Sequence, residues 1–228
     1  AASLTCAPFD GCSSVEYIHY TPGATGIMAD RNNQNNYSTY AYELTMEYDS
    51  RNTLKRVDFD EGVTHIGANA FYVCSFLEEA NLPSTLESIG ASAFYGNGSL
   101  STVNLPHGLT QLGDSAFKNC ISLSDITLPN TLTAISYEAF YNCTSLTEMV
   151  IPDSVTSIGT RTFWGCSGIQ TLHIPDSVQS WGDRCFANCT GLKEVTLPVD
   201  YATSMSCAPF DGCSSVEYIH YTPGATGI

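Results

Sequence analysis

Ten cysteines and five histidines are the residues of this 228-residue chain best equipped for chemistry, and their spacing decides which chemistry is open to them. Cys120, Cys143, Cys166 and Cys189 stand 23 residues apart. A zinc centre needs Cys or His ligands clustered at short spacing, so this ladder argues against a metal, and neither metal nor cofactor is expected. As small apolar side chains the column cysteines suit an interior. Asn97 fills the same column once, so sulfur is not required there. Cys185 and Cys207 lie outside the column in successive repeats, and their pairing is the one disulfide expected, in an exported chain.

His173 and His220 share a column with Asp58, Asn81, Asn104, Thr127, Val150 and Thr196, beside a broken acidic row of Glu79, Asp125, Glu148 and Glu194. This is either a solvated polar face or a strip for a ligand, and the acidic row favours a basic or cationic partner. Tyr72, Tyr95, Lys118, Tyr141 and Trp164 form a nearly aromatic column, each one residue after a repeated Phe. Rings of this kind either anchor a partner or stack as a stabilising ladder. Sequons occur at Asn36, Asn97, Asn142 and Asn188. Asn-Cys-Thr is what the repeat itself spells, so Asn36 alone is expected to carry a glycan. Asp30, Asn32 and Gln34 resemble part of a calcium loop, but Asn35 stands where the turn Gly belongs and Ala41 where the bidentate Glu belongs. Nucleophile elbow, phosphate loop, HExxH and paired catalytic carboxylates are all missing, so no enzyme is expected.

The elements that position these residues follow from a 23-residue register. Phe71, Phe94, Phe117, Phe140, Phe163 and Phe186 keep it without a slip, and so do six Leu/Ile-Pro pairs from Leu82-Pro83 to Leu197-Pro198. The unit reads L-x-x-V-x-[LI]-P-x-x-[LV]-x-x-[IL]-G-x-x-A-F-x-x-C. One unit has too few apolar groups to enclose a core, so units must stack as a solenoid. Leu123, Ile126 and Leu128 alternate as a short strand whose partner lies in the next repeat, which predicts one parallel sheet along the rod. Leu132, Ile135, Ala139, Phe140 and Cys143 are expected to face inward with them.

A second period overlies the first. Cys6 to Ile27 recurs unchanged as Cys207 to Ile228, an offset of 201 residues (207 minus 6). Residues 1–27 therefore read as the terminal coil of a preceding unit, with Val15 and Ile18 in strand positions. Residues 28–53 read as an Asn-rich linker and a strand, Thr39 to Tyr48, that caps the first coil. Residues 54–228 read as the solenoid. With a net charge of -15, a polyanion such as nucleic acid is repelled. No apolar run is long enough to span a bilayer.

Ile151 to Val178, IPDSVTSIGTRTFWGCSGIQTLHIPDSV, with DFDEGVTHIGANAFYVC at the head of the array, resembles the BspA-type or Treponema pallidum-type leucine-rich repeat. The resemblance covers residues 54 to about 224 and the coil at 4–22. The ladder asparagine of the general leucine-rich repeat is replaced by Thr85, Gly108, Thr131, Ser154 and Ser177, which is normal for the BspA type. It implies an α/β, β-rich leucine-rich repeat solenoid, an extracellular or cell-surface setting, and adhesion without catalysis, with the outward sheet face as the usual binding surface. Two functions stay open: a fibre or surface layer built from copies of the chain itself, and an adhesin for a host, matrix or microbial protein.

Overall fold

The computed structural model describes residues 15–21, 53–198 and 208–222. The capping strand expected at Thr39 to Tyr48, the Asn36 sequon and Cys207 lie outside the described residues. Each coil contributes a strand to an outer ladder: β1 (Tyr17–Tyr20), β2 (Arg56–Phe59), β4 (Glu79–Asn81), β6 (Thr102–Val103), β8 (Asp125–Ile126), β10 (Glu148–Val150), β12 (Thr171–His173), β14 (Glu194–Leu197) and β15 (Tyr218–Tyr221). A second, shorter ladder follows each Pro: β3 (His65–Ile66), β5 (Ser88–Ile89), β7 (Gln111–Leu112), β9 (Ala134–Ile135), β11 (Ser157–Ile158) and β13 (Ser180–Trp181). Every pairing is parallel and joins successive coils.

No helix occurs among the described residues, so the α part of the α/β expectation is corrected. The reason is local. The six coils from Asn69 to Asn188 turn through left-handed backbone in one column, at Asn69, Ser92, Ser115, Glu138, Arg161 and Arg184, and in a second at Val73, Gly96, Asn119, Asn142, Gly165 and Asn188. A residue with positive φ ends any helical run, so the A-F-x-x-C segment is closed as a chain of turns. Its alternate amides reach the next coil, as when Phe71, Phe94 and Phe117 donate to Ala93, Ala116 and Ala139 at 2.7 to 2.8 Å.

The inward positions are filled as the register requires. Leu123, Ile126, Leu128, Leu132, Ile135, Ala139, Phe140 and Cys143 are all buried. The six Phe rings from Phe71 to Phe186 stack in a file with centroids 5.1 to 5.7 Å apart. Beside them Cys120, Cys143, Cys166 and Cys189 donate to the carbonyls of Phe94, Phe117, Phe140 and Phe163 at 3.1 to 3.2 Å. Burial pushes the Cys120 and Cys166 thiols up to about 12, so they act as packed hydrophobes with weak donors and not as nucleophiles. Asn97 takes the sulfur's place with both side-chain polar atoms buried and unpartnered.

The expected single sheet is four among the described residues, two in each ladder. The outer ladder runs β1-β2-β4-β6-β8 and then β10-β12-β14-β15, and the inner ladder breaks at the same step, between β7 and β9. The glycine of [IL]-G explains the position of the break. A Cβ at Gly90, Gly113, Gly159 or Gly182 would lie 2.1 to 2.6 Å from the backbone of the coil before it, closer than side-chain atoms stand. Ser136 carries a side chain at this position, so its coil cannot sit as close. The break opens a shallow groove of about 500 Å³ along Ser88, Gln111, Asp114, Thr133 and Ser136. Turn-face bonds at this step stay at 2.8 Å, from Ser115 to Tyr137, Phe117 to Ala139 and Asn119 to Tyr141, so the rod remains continuous.

Candidate functional site

The two columns read from the sequence as binding strips lie on different faces. Tyr72 stacks on Tyr95 at 4.7 Å and Tyr141 on Trp164 at 4.6 Å. Lys118 bridges the two pairs, its ammonium 5.9 Å from the Tyr95 ring centre and 4.5 Å from that of Tyr141. Beneath it the buried carboxylate of Glu138 holds Lys118, accepts from the Tyr137 hydroxyl at 2.9 Å and stands 3.8 Å from Arg161. Burial alone would lower the Lys118 ammonium, but the bond and charge of Glu138 outweigh it and the net shift is upward. All four rings are half-buried, so the column spends most of its area on its own neighbours.

On the outer ladder, strand alternation turns Glu79, Asp125, Glu148, Thr171, His173 and Glu194 to solvent. His173 and His220 do not meet, because Thr196 of β14 pairs between them. His220 reaches Glu194 at 3.1 Å. Glu148, Val150, Thr171, His173 and Glu194 border a hollow of about 150 Å³.

Position in sequence concealed the richest polar cluster, which joins β1 to β2. These strands pair in register from Tyr17 with Arg56 to Tyr20 with Phe59, across an intervening segment that the 23-residue spacing cannot bridge. The Tyr17 hydroxyl donates to Asp58 at 2.7 Å, His19 meets Asp60 at 2.6 Å, and Thr21 donates to Asp60 at 3.0 Å. Lys55 pairs with Glu16 at 3.0 Å, and Arg56 holds Asp58 while lying over the Tyr17 ring. The Arg56 bond, helped by Asn81 and Tyr17, outweighs the cost of burying Asp58 and holds its carboxyl at about 2. Asp60 is lowered by His19 and then Thr21. Below the polar layer Ile18 is 6% exposed, and the Tyr20 and Phe59 rings meet at 5.9 Å. The surface is built for a polypeptide strand and carries no cluster of His, Cys, Asp and Glu suited to a metal among the described residues.

The disulfide expectation has one end in view and the glycan expectation none. Cys185 is fully buried, while Cys207 and Asn36 lie outside the described residues. No helix among the described residues is long and apolar enough to cross a membrane.

A family model for the BspA-type leucine-rich repeat region matches residues 45–169 and 110–228. No curated protein matches the chain. Among solved structures, a leucine-rich repeat protein of Treponema pallidum is 30% identical, with a TM-score of 0.53 over 59% of this chain and 63% of that one. A leucine-rich cell surface protein of Faecalibacterium prausnitzii is 24% identical, with a TM-score of 0.41 over 78% of this chain and 62% of that one. A leucine-rich repeat protein of Bacteroides ovatus is 19% identical, with a TM-score of 0.39 over 86% and 69%. The chain thus spans less than two thirds of the length of the first two.

Proposed function

Since the chain belongs to the BspA-type leucine-rich repeat family, we propose that it is an extracellular structural protein whose tandem 201-residue units form one continuous solenoid, building or decorating a fibre or surface layer. The single observation that supports this is the pairing of β1 with β2. By the long-period repeat, β1 is the closing strand of one unit and β2 the opening strand of the next. Their four-residue register, the ion pairs and the burial of Ile18 make that junction a paired step of the outer ladder. Length and valency follow from repetition without any particular ligand, and no catalytic role is needed.

Electron microscopy of the native material tests it. From β2 to β15 a unit stacks eight outer strands. At roughly 4.8 Å per strand, uniform fibres should repeat every ~40 Å. Freely jointed globules would sink the proposal.

A second reading, an adhesin, is favoured by the exposed Glu148, Thr171 and Glu194 around the small hollow on the outer face. It expects a basic protein ligand whose binding weakens with salt and is lost in Glu148→Gln/Glu194→Gln. Unchanged binding in that variant excludes this face.

A further inference from the structure

The cysteine column ends in a pair unlike the rest. Cys189 and Cys213 stand three residues after Phe186 and Phe210 on adjacent coils, and contacts on both sides fix how those coils meet. The two Phe rings stack at 5.6 Å, the Asn188 amide donates to the Asp211 carbonyl at 2.7 Å, and Glu194 to Leu197 pair in register with Tyr218 to Tyr221. The approach is closest beside the cysteines themselves. A Cβ at Gly212 would stand 2.3 Å from the Asn188 side-chain oxygen, against 3.2 and 3.5 Å to the nearest atoms at the equivalent Gly96 and Gly165. Each thiol donates to the Phe carbonyl of the coil before it, Cys189 to Phe163 at 3.2 Å and Cys213 to Phe186 at 3.1 Å. Both sulfurs therefore lie in one file. A hydrogen bond also joins thiol to thiol, whereas the Cys143 side chain meets those of Cys120 and Cys166 through charge. That bond holds Cys213 below the usual thiol range and, with burial, pushes Cys189 well above it.

We propose that Cys189 and Cys213 form a disulfide that staples the closing coil of a unit to the solenoid before it. In the native material this rests on the extracellular setting proposed above, since disulfides persist in oxidising compartments. A bridge needs Cα atoms roughly 4.4–6.8 Å apart, and parallel coils stacked about 4.8 Å apart supply that separation. The oxidant is a small-molecule disulfide of the glutathione class. Cys213 begins the exchange, because the thiolate is the nucleophile and Cys213 is the stronger acid of the pair. Its thiolate attacks one sulfur of the oxidant, forming a mixed disulfide and expelling a thiolate that takes up the proton Cys213 gave away. Cys189, already in contact with Cys213, then loses its proton and attacks the Cys213 sulfur, expelling the second small thiol. Two protein thiols are oxidised and one external disulfide is reduced to two thiols. Cys120 and Cys166 stay out of this chemistry, since burial pushes both up to about 12 and leaves no thiolate to start it. The staple also falls where the register slips: Cys189 and Cys213 are 24 residues apart (213 minus 189), whereas the earlier steps from Cys120 to Cys189 are 23.

Oxidation of the full 228-residue chain by glutathione tests this. Protein purified with a reductant, moved into oxidised glutathione and then alkylated should carry the bridge and retain no glutathione on either cysteine. Adding reductant should lower its melting temperature by roughly 5–15 °C. Tryptic cleavage after Arg184 and Lys193 leaves Cys185 with Cys189 on one peptide and Cys207 with Cys213 on the other. Fragmentation of the linked peptides in the mass spectrometer therefore has to tell this bridge from one between Cys185 and Cys207. The link should survive in Cys185→Ala/Cys207→Ala and disappear in Cys213→Ala, and fragmentation of the unaltered chain answers independently where a variant folds poorly. A bridge between Cys185 and Cys207, free thiols at both Cys189 and Cys213, or glutathione left unresolved on Cys213 overturns the proposal. A bridge that forms in glutathione but is missing from native material supports the pairing and overturns the extracellular setting instead.

Discussion

The hydroxyl of Ser136 donates to the carbonyl of Leu112 at 2.5 Å, an acceptor that the glycine amide takes at the other steps. Gly113, Gly159 and Gly182 donate through their backbone to Ile89, Ile135 and Ile158 at 2.7 to 2.8 Å. The substitution of side chain for main chain explains why strand pairing stops there while the turn face holds. Gly182→Ala should reproduce the effect in an intact step, because its Cβ would stand 2.1 Å from the Thr160 nitrogen. A cost of about 1–3 kcal/mol is expected. Gly98→Ala, whose Cβ would meet only the Ile121 side chain at 3.7 Å, should fall within about 0.5 kcal/mol of the parent. Urea unfolding of the pair measures the difference. Conversely, Ser136→Gly should slow amide exchange at Ala134 and Ile135.

Asn97 is the weak place in the cysteine column. Its amide is buried with neither polar atom paired, whereas the neighbouring Cys120 gives its thiol to Phe94. By the 26-residue offset of that bond, a thiol at position 97 would face the Phe71 carbonyl. Asn97→Cys should therefore raise stability by about 1–3 kcal/mol, the usual cost of an unsatisfied buried polar group. A thermal melt that does not move would show that the amide is paired in solution. Burial also closes the Asn97 sequon to a glycan in the folded chain.

Lys118 and Glu138 should be separable by a double substitution. Lys118→Met leaves the buried Glu138 carboxylate with Arg161 at 3.8 Å and the Tyr137 hydroxyl, at a cost of about 1–3 kcal/mol. Lys118→Met/Glu138→Gln removes the charge as well as its partner and should recover most of that loss. Denaturant midpoints for the two singles and the double give the coupling directly. Additive losses would mean that Arg161 and not Lys118 neutralises Glu138.

Acid should loosen the β1–β2 junction before the rest of the rod. Asp58 is held at about 2 by Arg56, and Asp60 and Glu61 are lowered by His19 and by Ser84. A carboxyl that is a stronger acid in the folded chain stabilises it fully above the ordinary carboxylate range, and that contribution is lost as pH falls through the folded value. Melting temperature should thus be flat from neutral pH down to roughly 5 and decline from about 4 towards 2. In Asp58→Asn the melting temperature should be lower at neutral pH and the acid decline shallower. An unchanged acid profile in that variant would assign the sensitivity to other carboxylates.

Phe140, Cys143 and Leu128 were legible in the sequence because a solenoid repeats the same environment every 23 residues, so burial at one position is burial in its whole column. The outward Glu148 and His173 followed from strand alternation. The second ladder was not legible: Ser88-Ile89 and Ser157-Ile158 are two-residue strands, too short to show a period. The left-handed turns were equally hidden, since Val73, Glu138, Arg161 and Arg184 carry side chains that do not advertise positive φ. The candidate interface escaped for a geometric reason. Tyr17 pairs with Arg56 across 39 positions, a separation that fits neither period, so the partners of Asp58 and Asp60 appear only when the strands are side by side.

The step at Ser136 gives the rod a mechanical grain. Strands lie across its long axis and their hydrogen bonds run along it, so tension pulls every bond of a step end-on and loads successive steps in series. In such a series a link short of bonds yields early, and among the described residues the step from Leu112 to Ile135 is the one at which strand pairing stops. A tandem array would then carry one yield point per 201 residues and lengthen unit by unit before any coil elsewhere parts. Pulled between its ends in a force spectrometer, the chain should show its first extension at this step, and Ser136→Gly should shift that event to higher force.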